Sequence, residues 1–125
     1  MLPAPLRSLA WLVYLLCWSA VLVAMFMPQL PVDMEHGSDK VGHLLALFGL
    51  AFSGCFAVFP GACEKRYWIW TIVAAIALEC LQGALVTARQ FSLGDIAANL
   101  AGVALAGVTW WWLFRQRVLP ARSGS

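Results

Sequence analysis

The chain has 125 residues, of which 62% are hydrophobic and only 11% are charged, and its mean hydropathy is +0.81. An ordinary soluble domain has an apolar share of about 45–50%, so this composition excludes a soluble globular domain. The net charge of +2 provides no strongly basic surface for a nucleic acid. We therefore expect a multi-pass membrane protein with no nucleic-acid partner.

The predicted elements are four membrane-spanning helices. A bilayer core needs roughly 20 helical residues, and four apolar stretches of about that length occupy residues 8–27, 39–59, 67–86 and 91–114. The first follows Arg7 but is longer than the roughly 7 to 15 residues of a signal-peptide core, so we interpret it as a membrane helix. The expected fold is all-α, a four-helix membrane bundle that forms one domain over residues 1–125.

Short polar connectors separate the predicted helices. Two of them contain residues that break a membrane helix, namely Pro28, Pro31, Pro60 and Gly61. The third, residues 87–90, is so short that helices three and four must be antiparallel neighbours. Ser38 is predicted to cap the start of helix two, and Ser92 with Asp95 has the form of a capping box at the start of helix four.

The basic residues predict the orientation of the bundle. Lys40 and Arg89 lie at one end of a four-helix topology, whereas the other end carries Arg7, Lys65, Arg66, Arg115, Arg117 and Arg122. Cytoplasmic loops of membrane proteins carry an excess of Lys and Arg. Both termini are therefore predicted to be cytoplasmic, and Lys40 and Arg89 extracytoplasmic.

Polar residues within or beside the spans gather near the extracytoplasmic end. At about 1.5 Å per residue, helices two to four bring the following residues to a similar depth: Asp39, Lys40, His43, Glu79, Gln82, Arg89, Asp95 and Asn99. Ionisable groups inside membrane spans are costly and commonly mark a site.

Small residues at spacings of three or four allow two membrane helices to approach closely. Such residues are Gly42, Ala46 and Gly49 on helix two and Gly94, Ala98, Gly102 and Ala106 on helix four. We expect one polar pocket.

The order and spacing of these polar residues resemble the VanZ-like family of small bacterial integral membrane proteins. The family pattern is Asp-Lys-x-x-His, Glu-x-x-Gln, Arg and Asp-x-x-x-Asn with a following Gly, here Gly102. The resemblance covers about residues 39–107, with Leu47 at a position where the family often has an aromatic residue. It implies a multi-pass cell-envelope protein of the bacterial cytoplasmic membrane. Its namesake is associated with reduced susceptibility to the glycopeptide teicoplanin, and it implies no established biochemical activity.

The predicted pocket suits an anionic head group, from a membrane lipid or a lipid-linked cell-wall precursor. Lys40 and Arg89 are suited to phosphate or carboxylate, lysine as a point charge and arginine through a bidentate fork. One alternative is an intramembrane enzyme that uses acid–base chemistry on a lipid head group, with His43, Glu79 and Asp95 as the candidate catalytic residues. Another alternative is a purely structural salt-bridge network.

No metal site and no cofactor are predicted. His36, Asp39 and His43 with Glu79 could supply nitrogen and oxygen ligands, but their spacing matches no established zinc motif. The oligomeric state is left open, with a homo-oligomer among the alternatives.

Overall fold

The computed structural model describes residues 2–27, 36–58, 64–86 and 91–114, and for residues 36–39 only the backbone. Within these ranges the fold is all-helical. Its helices are α1 (Ala4–Phe26), α2 (His36–Val58), α3 (Glu64–Leu85) and α4 (Leu93–Phe114). Each is long and apolar enough to cross a membrane. The predicted all-α class with four candidate membrane spans is confirmed.

The helix starts follow local chemistry, with one difference from prediction. α1 begins earlier than expected and has proline in its first turn, where the missing N–H costs no helical hydrogen bond. α4 begins after Ser92, whose Oγ accepts a hydrogen bond of 3.3 Å from the Asp95 N–H, as the capping prediction requires. The predicted Ser38 cap is wrong, because α2 already begins at His36. Serine fits within the first turn, where the backbone N–H groups have no helical partner.

Large apolar side chains cover the outside of the helices. Leu9 and Leu16 of α1 are 54% and 59% exposed, and Trp70 and Trp112 near the ends of α3 and α4 are 70% and 68% exposed. A water-soluble surface rarely leaves so many large apolar residues exposed together. The described helices therefore have the surface of a bundle that lies in lipid.

The helices alternate in direction. On α2 and α4, His43 pairs with Asn99 and Phe56 packs against Phe114, so these two helices run parallel. α3 runs antiparallel to α4, because Glu79 bonds the Ser92 backbone and Asn99 bonds that of Ala75. One end of the bundle thus combines the ends of α1 and α3 with the starts of α2 and α4. We call it the polar end and the other the basic end.

Each helix contributes side chains to one apolar core. α2 packs most extensively against α4 and α1. The buried core residues are Val21 and Met25 of α1, Leu47, Leu50 and Ala51 of α2, Ala75 and Leu78 of α3, and Val103 and Ala106 of α4. Toward the basic end the contact between α2 and α4 becomes aromatic, with Phe56 and Trp110 ring centroids 5.1 Å apart. This core holds the starts of α2 and α4 together at the polar end.

The backbones of α2 and α4 approach each other closely at Gly102. A Cβ atom there would collide with the Leu44 carbonyl oxygen and lie 3.0 Å from the Phe48 nitrogen. The predicted small-residue row on α4 is thus at the interface. The prediction is wrong for Gly42 and Gly49 of α2, since a Cβ on either would meet nothing within 4 Å. α2 instead presents its backbone to Gly102, so the close contact needs a small residue on only one of the two helices.

Candidate functional site

Five polar side chains from three helices are buried at the polar end, and we call them the polar cluster. They are His43 of α2, Glu79 and Gln82 of α3, and Asp95 and Asn99 of α4, with exposed fractions between 0% and 7%. The predicted layer thus exists as a set of neighbouring residues. Its side chains lie within the bundle, not on its surface.

Asn99 connects all three helices of the cluster. Its Nδ2 donates a 3.2 Å hydrogen bond to the Ala75 carbonyl of α3, and its Oδ1 lies 3.1 Å from His43 Nδ1. Since the amide nitrogen is used toward Ala75, the oxygen is the acceptor toward His43. The His43 ring therefore carries a proton on Nδ1, as assigned from the hydrogen-bond network.

Glu79 of α3 caps the start of α4. Its Oε1 accepts a 3.2 Å hydrogen bond from the backbone N–H of Ser92, the group that a capping box normally joins to a side chain of its own helix. The Asp95 backbone N–H is bonded to Ser92 Oγ in turn. The sequence predicted the Ser92 cap but not that Glu79, from the preceding helix, would supply its second half.

Three titratable side chains meet within this cluster. His43, Glu79 and Asp95 each place a nitrogen or oxygen atom so that all three atoms lie within 4.8 Å of one another. Each of the three residues comes from a different helix. The structure therefore brings together the three residues that the sequence indicated as acid–base candidates.

Gln82 ties α3 to α1, a contact that the sequence analysis missed. Its Nε2 donates a 2.8 Å hydrogen bond to the Met25 carbonyl, which lies in the last turn of α1. Carbonyls in a last turn have no helical partner, and this general requirement is the signal that could have indicated the contact. The Gln82 Oε1 atom is buried and has no hydrogen-bond partner within the described ranges.

Lys40 lies at the exposed edge of the polar end. A Cβ atom added to Gly94 would be 2.8 Å from Lys40 Cε and 3.5 Å from Nζ, so the lysine chain packs across the first turn of α4. The side chain of Asp39 and the whole of Arg89 lie outside the described residues. The remaining predicted site residues are Lys40 and the five of the polar cluster.

The arrangement offers two kinds of chemistry. At the edge, the Lys40 ammonium adjoins the N-terminus of α4, where the positive end of the helix dipole favours an anion. Inside, one imidazole and two carboxylates within 4.8 Å could exchange protons or ligate a cation.

Comparison with known proteins gives a limited match. The chain is 28% identical over 91 residues to a D-alanine–D-alanine ligase of Bifidobacterium longum subsp. infantis, and 29% identical to those of two further Bifidobacterium longum strains. Each match covers 72% of this chain but only about a fifth of the ligase. A stretch of 91 residues in a chain of 125 must include α2 and α3. No family model and no solved structure matches the chain.

Proposed function

We propose that this chain is a VanZ-like protein of the bacterial cytoplasmic membrane whose polar end binds an anionic head group, that of a membrane lipid or of a lipid-linked cell-wall precursor. The observation that carries the proposal is the position of Lys40 across Gly94 at the start of α4. The exposed Lys40 ammonium lies beside the N-terminus of α4, and both favour a negatively charged ligand at that position.

The polar cluster supports this site from within the bundle. The hydrogen bonds of Asn99 to His43 and Ala75 hold the starts of α2 and α4 against α3, and Glu79 holds the backbone at Ser92. The first turn of α4 is therefore fixed relative to Lys40. A binding group on a fixed element loses less entropy when the ligand binds.

The orientation is part of the proposal. Arg7, Lys65 and Arg66 lie in the first turns of α1 and α3, so they occupy the basic end, while Lys40 lies at the polar end. By the positive-inside rule the basic end is cytoplasmic. Both termini are then cytoplasmic, and the polar end faces the outside of the cell.

The similarity to the Bifidobacterium ligases supports a cell-envelope context. Their name describes the joining of two D-alanine molecules. A segment similar to α2 and α3 within proteins of that name suits a membrane domain that works near a precursor containing D-alanine. An influence on susceptibility to teicoplanin-type glycopeptides belongs to the same proposal.

Lipid binding tests the proposed function. Native mass spectrometry would compare binding of phosphatidylglycerol and of zwitterionic phosphatidylcholine to the wild type, Lys40→Ala and Arg89→Ala. A hydrogen bond to a charged group is worth about 1.5–3 kcal/mol, so we expect each variant to lose at least about tenfold in affinity for the anionic lipid only. Lys65→Ala, an exposed lysine at the basic end, is the matched control and should bind as the wild type does. Equal affinity in all variants would refute the proposal.

The proposed orientation has its own test. Leu93→Cys places a thiol at a 74% exposed position of the polar end, and Arg66→Cys places one at the exposed basic end, each in a chain whose native cysteines are replaced by serine. A membrane-impermeant thiol reagent applied to intact cells should label only the Leu93→Cys chain. Labelling of only the Arg66→Cys chain would show that the orientation is the opposite of the proposed one.

A second candidate function is acid–base catalysis on a lipid head group. The observation in its favour is the meeting of His43, Glu79 and Asp95 within 4.8 Å, since such chemistry requires two titratable groups near one substrate. If these residues catalyse the reaction, Glu79→Gln and His43→Ala should each abolish turnover of the head group. Turnover that survives both substitutions would exclude these residues as the catalytic groups.

A further inference from the structure

We propose that His43, Glu79 and Asp95 form a binding site for a divalent transition-metal ion, and that Zn²⁺ is the ion that fits it best. The site would be a property of these side chains alone, whether or not an anionic ligand binds beside it. The proposed ligands share His43 and Glu79 with the metal ligands weighed from the sequence, but Asp95 takes the place of His36 and Asp39. The proposal departs from the prediction that no metal binds.

The separations of the three ligand atoms suit a metal ion. Because each pair is within 4.8 Å, an ion at the centre of the triangle would lie at most about 2.8 Å from each atom, which is 4.8 Å divided by the square root of three. Bonds from Zn²⁺ to imidazole nitrogen and carboxylate oxygen are about 2.0–2.2 Å. Each ligand would therefore move by less than about 1 Å, a shift that side-chain rotation supplies.

The surroundings orient the ligands as in known metal sites. A histidine that binds a metal through one nitrogen usually donates its other N–H to an oxygen, and His43 Nδ1 donates to Asn99 Oδ1 at 3.1 Å. In that arrangement Nε2 would be the ring nitrogen that binds the ion. The Asn99 amide is itself held by Ala75, and the Glu79 carboxylate by the Ser92 N–H. Two of the three proposed ligands, His43 and Glu79, are thus held in position by hydrogen bonds to Asn99 and to the Ser92 backbone.

Charge balance favours a cation at this position. Glu79 and Asp95 are 1% and 7% exposed, and a buried carboxylate is stable as an anion only beside a compensating positive charge. A divalent ion bound by both carboxylates would supply such a charge. It would also offset negative charge near an anion at Lys40.

The donor set selects the class of ion. One imidazole nitrogen and two carboxylate oxygens suit Zn²⁺ or Mn²⁺, whereas Ca²⁺ and Mg²⁺ prefer sets of oxygen ligands. Three protein ligands leave at least one coordination position open to water or to a ligand atom, as in catalytic zinc sites. In the Irving–Williams order of divalent-metal affinity, Zn²⁺ binds more tightly than Mn²⁺ at such a site.

Metal analysis of the purified full chain tests the proposal. The protein is treated with a chelator, incubated with Zn²⁺, freed of unbound ion and analysed by elemental mass spectrometry, without added lipid. We expect about one zinc per chain in the wild type and a more than tenfold weaker affinity in Glu79→Gln and Asp95→Asn. These substitutions keep the side-chain shape, and circular dichroism would verify that both variants remain helical. Glu64→Gln, an exposed acid at the basic end, is the matched control and should retain zinc.

Cobalt provides a readout that needs no variant. Co²⁺ in place of Zn²⁺ should give visible absorption bands of a four-coordinate site with nitrogen and oxygen ligands, without the thiolate charge-transfer band that Cys80 or Cys17 would produce. A wild type that retains no zinc would overturn the proposal, as would zinc retained at the wild-type level by both carboxylate variants. Lys40→Ala should still retain about one zinc per chain, because Lys40 supplies none of the three ligands, so a failure of the metal proposal is distinguishable from a failure of the anion site.

Discussion

Replacement of Gly102 by alanine tests the close packing that positions the polar end. The added Cβ would collide with the Leu44 carbonyl oxygen and stand 3.0 Å from the Phe48 nitrogen. Both atoms belong to the backbone of α2, so no side-chain rotation relieves the contact and the helices must separate. Overpacking of this kind costs typically about 1–3 kcal/mol, and we expect the upper end of that range.

The net effect includes a gain in helix propensity. Glycine to alanine favours a helix by about 1 kcal/mol, so the expected loss in the free energy of unfolding for Gly102→Ala is about 2 kcal/mol. Gly49→Ala is the matched control, because a Cβ there would meet nothing within 4 Å. That variant should gain up to about 1 kcal/mol from the same propensity difference.

Reversible unfolding in mixed detergent micelles measures both variants. Circular dichroism would follow the loss of helix as sodium dodecyl sulfate is added to the wild type, Gly102→Ala and Gly49→Ala. We expect the unfolding midpoint of Gly102→Ala to be lower than that of the wild type. The midpoint of Gly49→Ala should equal or exceed that of the wild type. A Gly102→Ala protein as stable as Gly49→Ala would refute the argument that α2 and α4 touch at this glycine.

Three further outcomes follow from the hydrogen bonds. In Asn99→Leu, nitrogen NMR of His43 should show a mixture of tautomers in place of the Nδ1–H form, because the acceptor at 3.1 Å is gone; an unchanged tautomer would show that another group sets it. Ser92→Ala should lower the free energy of unfolding by about 1 kcal/mol through loss of the α4 cap, and Ser92→Asn, which caps without adding a charge, should restore it. Tyr67→Phe removes the 2.6 Å hydrogen bond to the Ala51 carbonyl and should cost about 1 kcal/mol, measured by the same detergent titration.

The parts of the fold that depend on length and depth could be predicted from the sequence. An apolar stretch of about 20 residues must be a helix in lipid, because every backbone polar group needs an internal partner. The similar depth of His43, Glu79 and Asn99 follows from the rise of a helix, and the structure places His43 beside both Asn99 and Glu79. Nothing in that reasoning needs the packing of one helix against another.

The packing itself was less predictable, because a membrane helix is apolar on nearly every side. Gly42, Gly49 and Gly102 have the same spacing signal, yet only Gly102 meets a neighbouring backbone. A small residue permits a close contact but does not determine which helix face makes it. The bond from Gln82 to the Met25 carbonyl was missed for a related reason. The last turn of α1 offers several carbonyls without a helical partner, and the sequence does not indicate which of them accepts.

Locating the bound head group tests the proposed anion site at the polar end most directly. A photoactivatable anionic phospholipid would be crosslinked to the purified chain in a bilayer, and the modified peptides identified by mass spectrometry. We expect crosslinks around Lys40 and the first turn of α4, where Lys40 packs across Gly94, and fewer of them in Lys40→Ala. Crosslinks concentrated at the basic end, or a pattern identical to that of a zwitterionic probe, would refute the proposed site.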